Sequence, residues 1–122
     1  MGKTYSIAIA SRLKRRIFLA GNIPSEFLRL AKAALNENLI SIQQYRFYDY
    51  GVLLQLNMPD EMSPETAAAL IRSSTSKPLR TTFSELWPLP SLWTRKCFIK
   101  AGELDGLFVQ EAEDFFASLK NR

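Results

Sequence analysis

The alternation of apolar and polar positions is most informative between Ile40 and Asn57, ISIQQYRFYDYGVLLQLN. Ile40, Ile42, Tyr45 and Phe47 give an imperfect period of two. Tyr48-Asp49-Tyr50-Gly51 supplies turn chemistry, and Val52, Leu53, Leu54 and Leu56 follow as an apolar run. The pattern predicts an antiparallel hairpin in the middle of a sheet, because strands buried on both faces read as near-continuous apolar runs. Upstream, Tyr5 to Ala10 (YSIAIA) alternates and predicts a strand. Asn22-Ile23-Pro24-Ser25 opens a helix whose apolar face is Phe27, Leu30, Ala31, Ala34 and Leu35, closed by Asn36 or Asn38.

Downstream of the hairpin, Asn57 to Met62 predicts a loop. Ser63-Pro64-Glu65 then starts a second helix with a cap, an early proline and an acid in the first turn. Ala67, Leu70 and Ile71 form its buried face, and Ser73 to Lys77 predicts a fraying end closed by Pro78. Arg80 to Trp87 predicts a short helical turn, and Trp87-Pro88-Leu89-Pro90-Ser91 irregular chain. Lys96 to Lys100 reads as a strand, and Leu104 to Leu119 as a last helix with the stripe Phe108, Ala112, Phe115 and Leu119. The order β-α-β-β-α-β-α predicts an α+β fold of the ferredoxin-like, split-βαβ kind: a four-stranded antiparallel sheet with helices on one face.

At 122 residues the expectation is one domain, 1–122. Its 47% hydrophobic content is that of an ordinary globular chain. No apolar run approaches the ~20 residues of a membrane helix, and a single cysteine, Cys97, suits a reducing cytoplasm. Net charge is +4, and its distribution adds to the picture. Residues 1–50 carry eight Lys/Arg against three Asp/Glu, whereas residues 101–122 carry two against five. Arg12, Lys14, Arg15 and Arg16 form a cluster after the first strand. Lys77, Arg80, Arg95 and Lys96 follow later, interleaved with Trp87 and Trp93. Cations at loops meet phosphates, and aromatics stack on bases, so these eight are the candidate nucleic-acid contacts.

Histidine is absent. That excludes Ser-His and Cys-His pairs, imidazole-ligated zinc and imidazole acid–base chemistry. One cysteine makes no thiolate zinc site, and neither common phosphate-cradling glycine motif occurs. A Mg²⁺ site built on Asp49 and acids of the last helix is the remaining metal candidate.

From Tyr5 to about Ser118 the chain resembles the small single-tyrosine transposases of the insertion-sequence-200 type, including the REP-associated tyrosine transposases. Lys14-Arg15-Arg16 followed by Ile17-Phe18-Leu19 is similar to their opening cluster. Phe47-Tyr48-Asp49-Tyr50-Gly51-Val52-Leu53-Leu54 resembles their Met-Pro-Asp-His-hydrophobic-His signature, with Tyr50 and Val52 in the places of the two histidines. Phe83-Ser84-Glu85-Leu86-Trp87 and Leu92-Trp93-Thr94-Arg95-Lys96-Cys97-Phe98 resemble two further blocks. The last helix would carry the nucleophilic tyrosine, but Ala112, Phe115 or Phe116 stands there.

The resemblance implies a metal-assisted attack of tyrosine on a DNA phosphodiester, and this chain lacks both the ligands and the nucleophile. The expectation is therefore a catalytically inactive relative with no cofactor. It would bind hairpin or single-stranded DNA, or RNA, as a cytoplasmic homodimer joined by a continuous sheet. A dimeric protein-interaction module is one alternative, and a residual metal-dependent nicking enzyme is another. On this order the Arg12–Arg16 and Arg95-Lys96 clusters need not touch within one chain, and across a dimer sheet they could approach and form one longer positive track.

Overall fold

The computed structural model describes residues 2–19, 21–86, 89 and 91–119. The long elements are β1 (Gly2–Ser11), α1 (Ile23–Asn36), β2 (Ser41–Tyr48), β3 (Gly51–Pro59), α2 (Pro64–Thr82), β4 (Trp93–Ala101) and α3 (Gly106–Ser118). The sheet order is β2-β3-β1-β4, antiparallel throughout. This is the predicted α+β plan, with the hairpin turning at Asp49-Tyr50 and β3 beside β1 at the centre.

Both central strands are apolar on both faces, and each face acquires its own core. Ile7, Ile9, Val52, Leu54 and Leu56 pack under Phe27, Ala31 and Leu35 of α1 and Ala67, Ala68 and Ile71 of α2. Ala8, Ala10 and Leu53 point the other way, against Phe108, Ala112 and Phe116 of α3. The expectation of helices on one face thus holds for the two crossover helices, and α3 departs from it. Alternation sends the small alanines of β1 to the second face, where an uncovered apolar strip would stay in water. The third helix removes that strip.

The second helix also differs from expectation. It does not fray at Ser73 but runs through Pro78 to Thr82. An interior proline costs about 3 kcal/mol. Against that, Thr75 and Leu79 continue the buried line set by Ala67, Ala68 and Ile71. Full burial of a leucine contributes about 1.5–3 kcal/mol, and the Trp93 indole N–H donates to Thr75 Oγ1 at 2.9 Å. Tertiary contacts override the local signal. Caps elsewhere follow the sequence: Ser63 Oγ accepts from Thr66 N at 3.2 Å and Asp105 Oδ1 from Phe108 N at 2.8 Å. A short 3₁₀ turn at Ser84–Leu86 replaces the helical turn expected from Arg80. Trp87, Pro88 and Pro90 lie outside the described residues.

Candidate nucleic-acid interface

Because β1 and β4 are antiparallel neighbours, the end of β1 meets the start of β4. Ser11 pairs with Trp93, and Arg12 N donates to Leu92 O at 2.9 Å. The loop 12–16 and the pair Arg95-Lys96 therefore adjoin within one chain, where the expected order did not require them to touch. That expectation misplaced the edge strand: in the order β2-β3-β1-β4 the first and fourth strands touch directly. Between them lies an open cleft of about 610 Å³. It is lined by Arg12, Arg95 and Lys96, with Leu13, Trp93 and Leu119 among its apolar walls. α2 ends beside the start of β4, so Lys77 and Arg80 belong to the same end of the molecule.

The eight cations are not equivalent there. Arg12, Arg15, Arg16, Lys77, Arg95 and Lys96 are exposed. Lys14 is half-buried, its Nζ donating to the carbonyl of Phe116 at 3.1 Å and lying 5.6 Å from the centre of the Tyr50 ring. A cation on the last carbonyls of α3 complements the negative end of that helix. Arg80 is half-buried, and its Nη1 donates to Leu89 O at 2.9 Å. Lys14 and Arg80 thus hold chain segments, while the other six face solvent. One tie was not legible in the sequence: Arg72 Nη1 donates to Arg95 O at 2.8 Å and fixes the start of β4. Trp93, one of the two aromatics that could stack on bases, is a core residue instead, 5% exposed with its N–H committed to Thr75. Trp87 lies outside the described residues.

Loop 12–16 has an unusual backbone. Leu13 and Lys14 are consecutive non-glycine residues with φ of 59° and 52°, a conformation that costs roughly 1–2 kcal/mol per residue. Three ties hold it: Lys14 on α3, the Ser11 hydroxyl on Arg15 O, and Arg12 N on Leu92 O. Together they turn Arg15 and Arg16 outward.

Of the positions that the resemblance equates with histidines and nucleophile, all but Val52 lie around α3. Tyr50 packs edge-on against Phe116, with centroids 5.4 Å apart. Val52 is fully buried on the opposite face, under α1 and α2. The structure does not bring these two together. A shift of one residue along a strand exchanges faces, and the β3 residues facing α3 are Gly51 and Leu53. A Cβ on Gly51 would stand 2.8 Å from Ile9 O and 3.1 Å from the Phe116 ring. Ala112 and Phe116 are fully buried, and Phe115 stacks on Phe98 at 5.9 Å. The Tyr48 hydroxyl donates to Glu113 Oε2 at 2.8 Å. Burial, then this hydrogen bond, push its pKa up to about 12.

The resemblance also implies a divalent metal. The residues do not fit one: Val52, Leu53 and Phe116 offer no donor atoms. Among the described residues, no three Asp, Glu or Cys side chains converge, the proposed Asp49 set included.

Two solved structures that superpose on this chain are described as transposases, the family the sequence resembles. A "putative transposase" from Deinococcus radiodurans R1 superposes with a TM-score of 0.87 at 10% identity, over 100% of this chain and 94% of that one. A REP-associated tyrosine transposase, solved bound to a REP hairpin, superposes with a TM-score of 0.63 at 10% identity. That match covers 92% of this chain and 63% of the other, so this chain spans less than two thirds of that protein. No protein-family model matches the chain, and no curated protein does. The likeness at this identity concerns the fold alone.

Proposed function

We propose that this chain is a transposase-fold protein that grips hairpin or single-stranded DNA, or RNA, without cutting it. The observation that carries the reading is the gathering of Arg12, Arg15, Arg16, Arg95 and Lys96 at one end of the sheet. Among the described residues none of these five forms an ion pair. Paired surface cations are neutralised by their partners, and these remain open to phosphates. The hairpin held by a transposase of the same fold supports a hairpin as the ligand. The absence of cleavage is supported by the apolar packing of Ala112, Phe116 and Val52 at the positions where chemistry would be expected.

A cytoplasmic homodimer joined through its sheets is part of the proposal. β2 is the better edge for it, because β4 carries Arg95, Lys96 and Lys100 and would set like charges against their copies. β2 carries only Arg46. A Gln44→Cys, Cys97→Ser variant should form a disulfide-linked dimer on mild oxidation, and a chain that stays monomeric would count against this edge.

The main test is a mobility shift with hairpin oligonucleotides at ~50 mM salt, where the phosphate contribution is strong. Replacing Arg12, Arg15 and Arg16 together by Ala should weaken binding about tenfold or more. It should also lower the salt slope by about two to three phosphates. No binding by the wild type would sink the reading. A covalent tyrosine–DNA adduct formed with Mg²⁺ or Mn²⁺ would refute the non-cutting half of it.

A further inference from the structure

The cleft between β1, β4 and the end of α3 holds more than a row of charges. Arg12, Arg95 and Lys96 stand on its rim, Leu13, Trp93 and Leu119 form apolar walls, and among the described residues no carboxylate lines it. A surface that only tracked a phosphate backbone would need the rim alone. At about 610 Å³ the recess falls in the ~300–1,000 Å³ range of small-ligand sites. Its walls are fixed in place. The Trp93 indole is held by Thr75, and the left-handed Leu13 by the ties of its loop.

Three of the four hydroxyls of the cleft are already engaged. Ser11, Ser91 and Ser118 donate their hydrogens to the carbonyls of Arg15, Trp93 and Phe115. Each has its donor spent and offers a ligand only oxygen lone pairs.

We propose that this cleft seats one unpaired nucleotide, with its phosphate on Arg12, Arg95 and Lys96 and its base against Leu13 and Leu119. The inference rests on the nucleic-acid reading above and adds a place where a base is sensed.

Two experiments test it. In the first, the full chain is titrated with AMP, ribose 5-phosphate and inorganic phosphate, followed by amide chemical shifts. AMP should move Leu13, Thr94 and Leu119 and saturate at a concentration about tenfold below that of ribose 5-phosphate. Equal behaviour of the two, or no shift at these residues, overturns the proposal. In the second, a blunt hairpin is compared with one bearing a single adenine overhang and one bearing an abasic overhang. The adenine should tighten binding about tenfold over both, and Ser118→Phe should bring the adenine hairpin to the level of the blunt one. An abasic overhang as good as adenine overturns the base seat and leaves the non-cutting grip standing. If no hairpin binds, the proposed function falls, and the AMP titration still decides on the cleft.

Discussion

On one face of the sheet, α1 and α2 bury Ile7, Ile9, Val52, Leu54 and Leu56 in a mostly aliphatic core. On the other, α3 alone covers Ala8, Ala10 and Leu53 with rings: Phe98, Phe108, Phe115, Phe116, Tyr48 and Tyr50 are all in or against that cluster. The first face does what any split-βαβ scaffold requires. The second lies where the resemblance implies a water-accessible reaction centre, and it is built as a joint. Ring meets ring at 5.3 Å between Tyr48 and Phe116 and at 5.4 Å between Phe98 and Phe108. The difference teaches that α3 is held by aromatic area over small residues, so its place depends on a few large side chains.

The largest effect should come from emptying either face. Phe27→Ala and Phe116→Ala are each expected to cost about 3–5 kcal/mol, measured by chemical denaturation. A cost below about 1 kcal/mol for Phe116→Ala would show that α3 is peripheral and would break the comparison.

A histidine pair at the signature positions should not rebuild a metal site. Tyr50→His with Val52→His puts the imidazoles on opposite faces and one of them in an apolar core, at a cost of about 1–3 kcal/mol for the unsatisfied polar group. Calorimetry should detect no Zn²⁺ binding. Tight binding would mean that the strand slips by one residue.

A smaller effect separates ties from contacts. Lys14→Ala should destabilise the fold by about 0.3–1 kcal/mol through the lost cation at the helix end. It should leave the salt slope of hairpin binding almost unchanged, whereas Arg15→Ala with Arg16→Ala lowers the slope by about two. Equal slopes for the two variants would make Lys14 a phosphate contact.

The smallest effect is one of pH. The phenol of Tyr48 is raised from its ordinary 10 to about 12 in the folded chain. The neutral form is favoured by folding, so this contribution is fully present below pH 10 and is lost as pH rises from 10 to about 12. Thermal melts of Tyr48→Phe should fall less steeply over that window than those of the wild type, and parallel curves would remove Glu113 and burial as the cause.

Much of the fold was written in local pattern. The apolar run Val52 to Leu56 announced a central strand, Ser63-Pro64-Glu65 a helix start, and Tyr5 to Ala10 its partner. What escaped was set by distant contacts. The end of α2 depends on Thr75 meeting Trp93 and on Leu79 reaching the core, which no window of neighbouring residues contains. The face of Tyr50 and Val52 depends on where the turn leaves the ladder, and one residue decides it. The cations were legible as a set. Their division into ties and free groups was not, because it follows from Phe116 O and Leu89 O lying within reach of Lys14 and Arg80.

The place of β1 has a consequence for biosynthesis. It leaves the ribosome before both of its neighbours, β3 and β4, and the last of these ends at Ala101. At 5–20 residues per second the strand waits on the order of ten seconds with at least one open edge. Such a segment, apolar and β-prone, is the kind that nascent chains lose to aggregation. The cations of Arg12 to Arg16 follow it at once and repel a second copy of the same strand while it waits. The loop read above as a grip on phosphates is also a gatekeeper for the chain's own first strand.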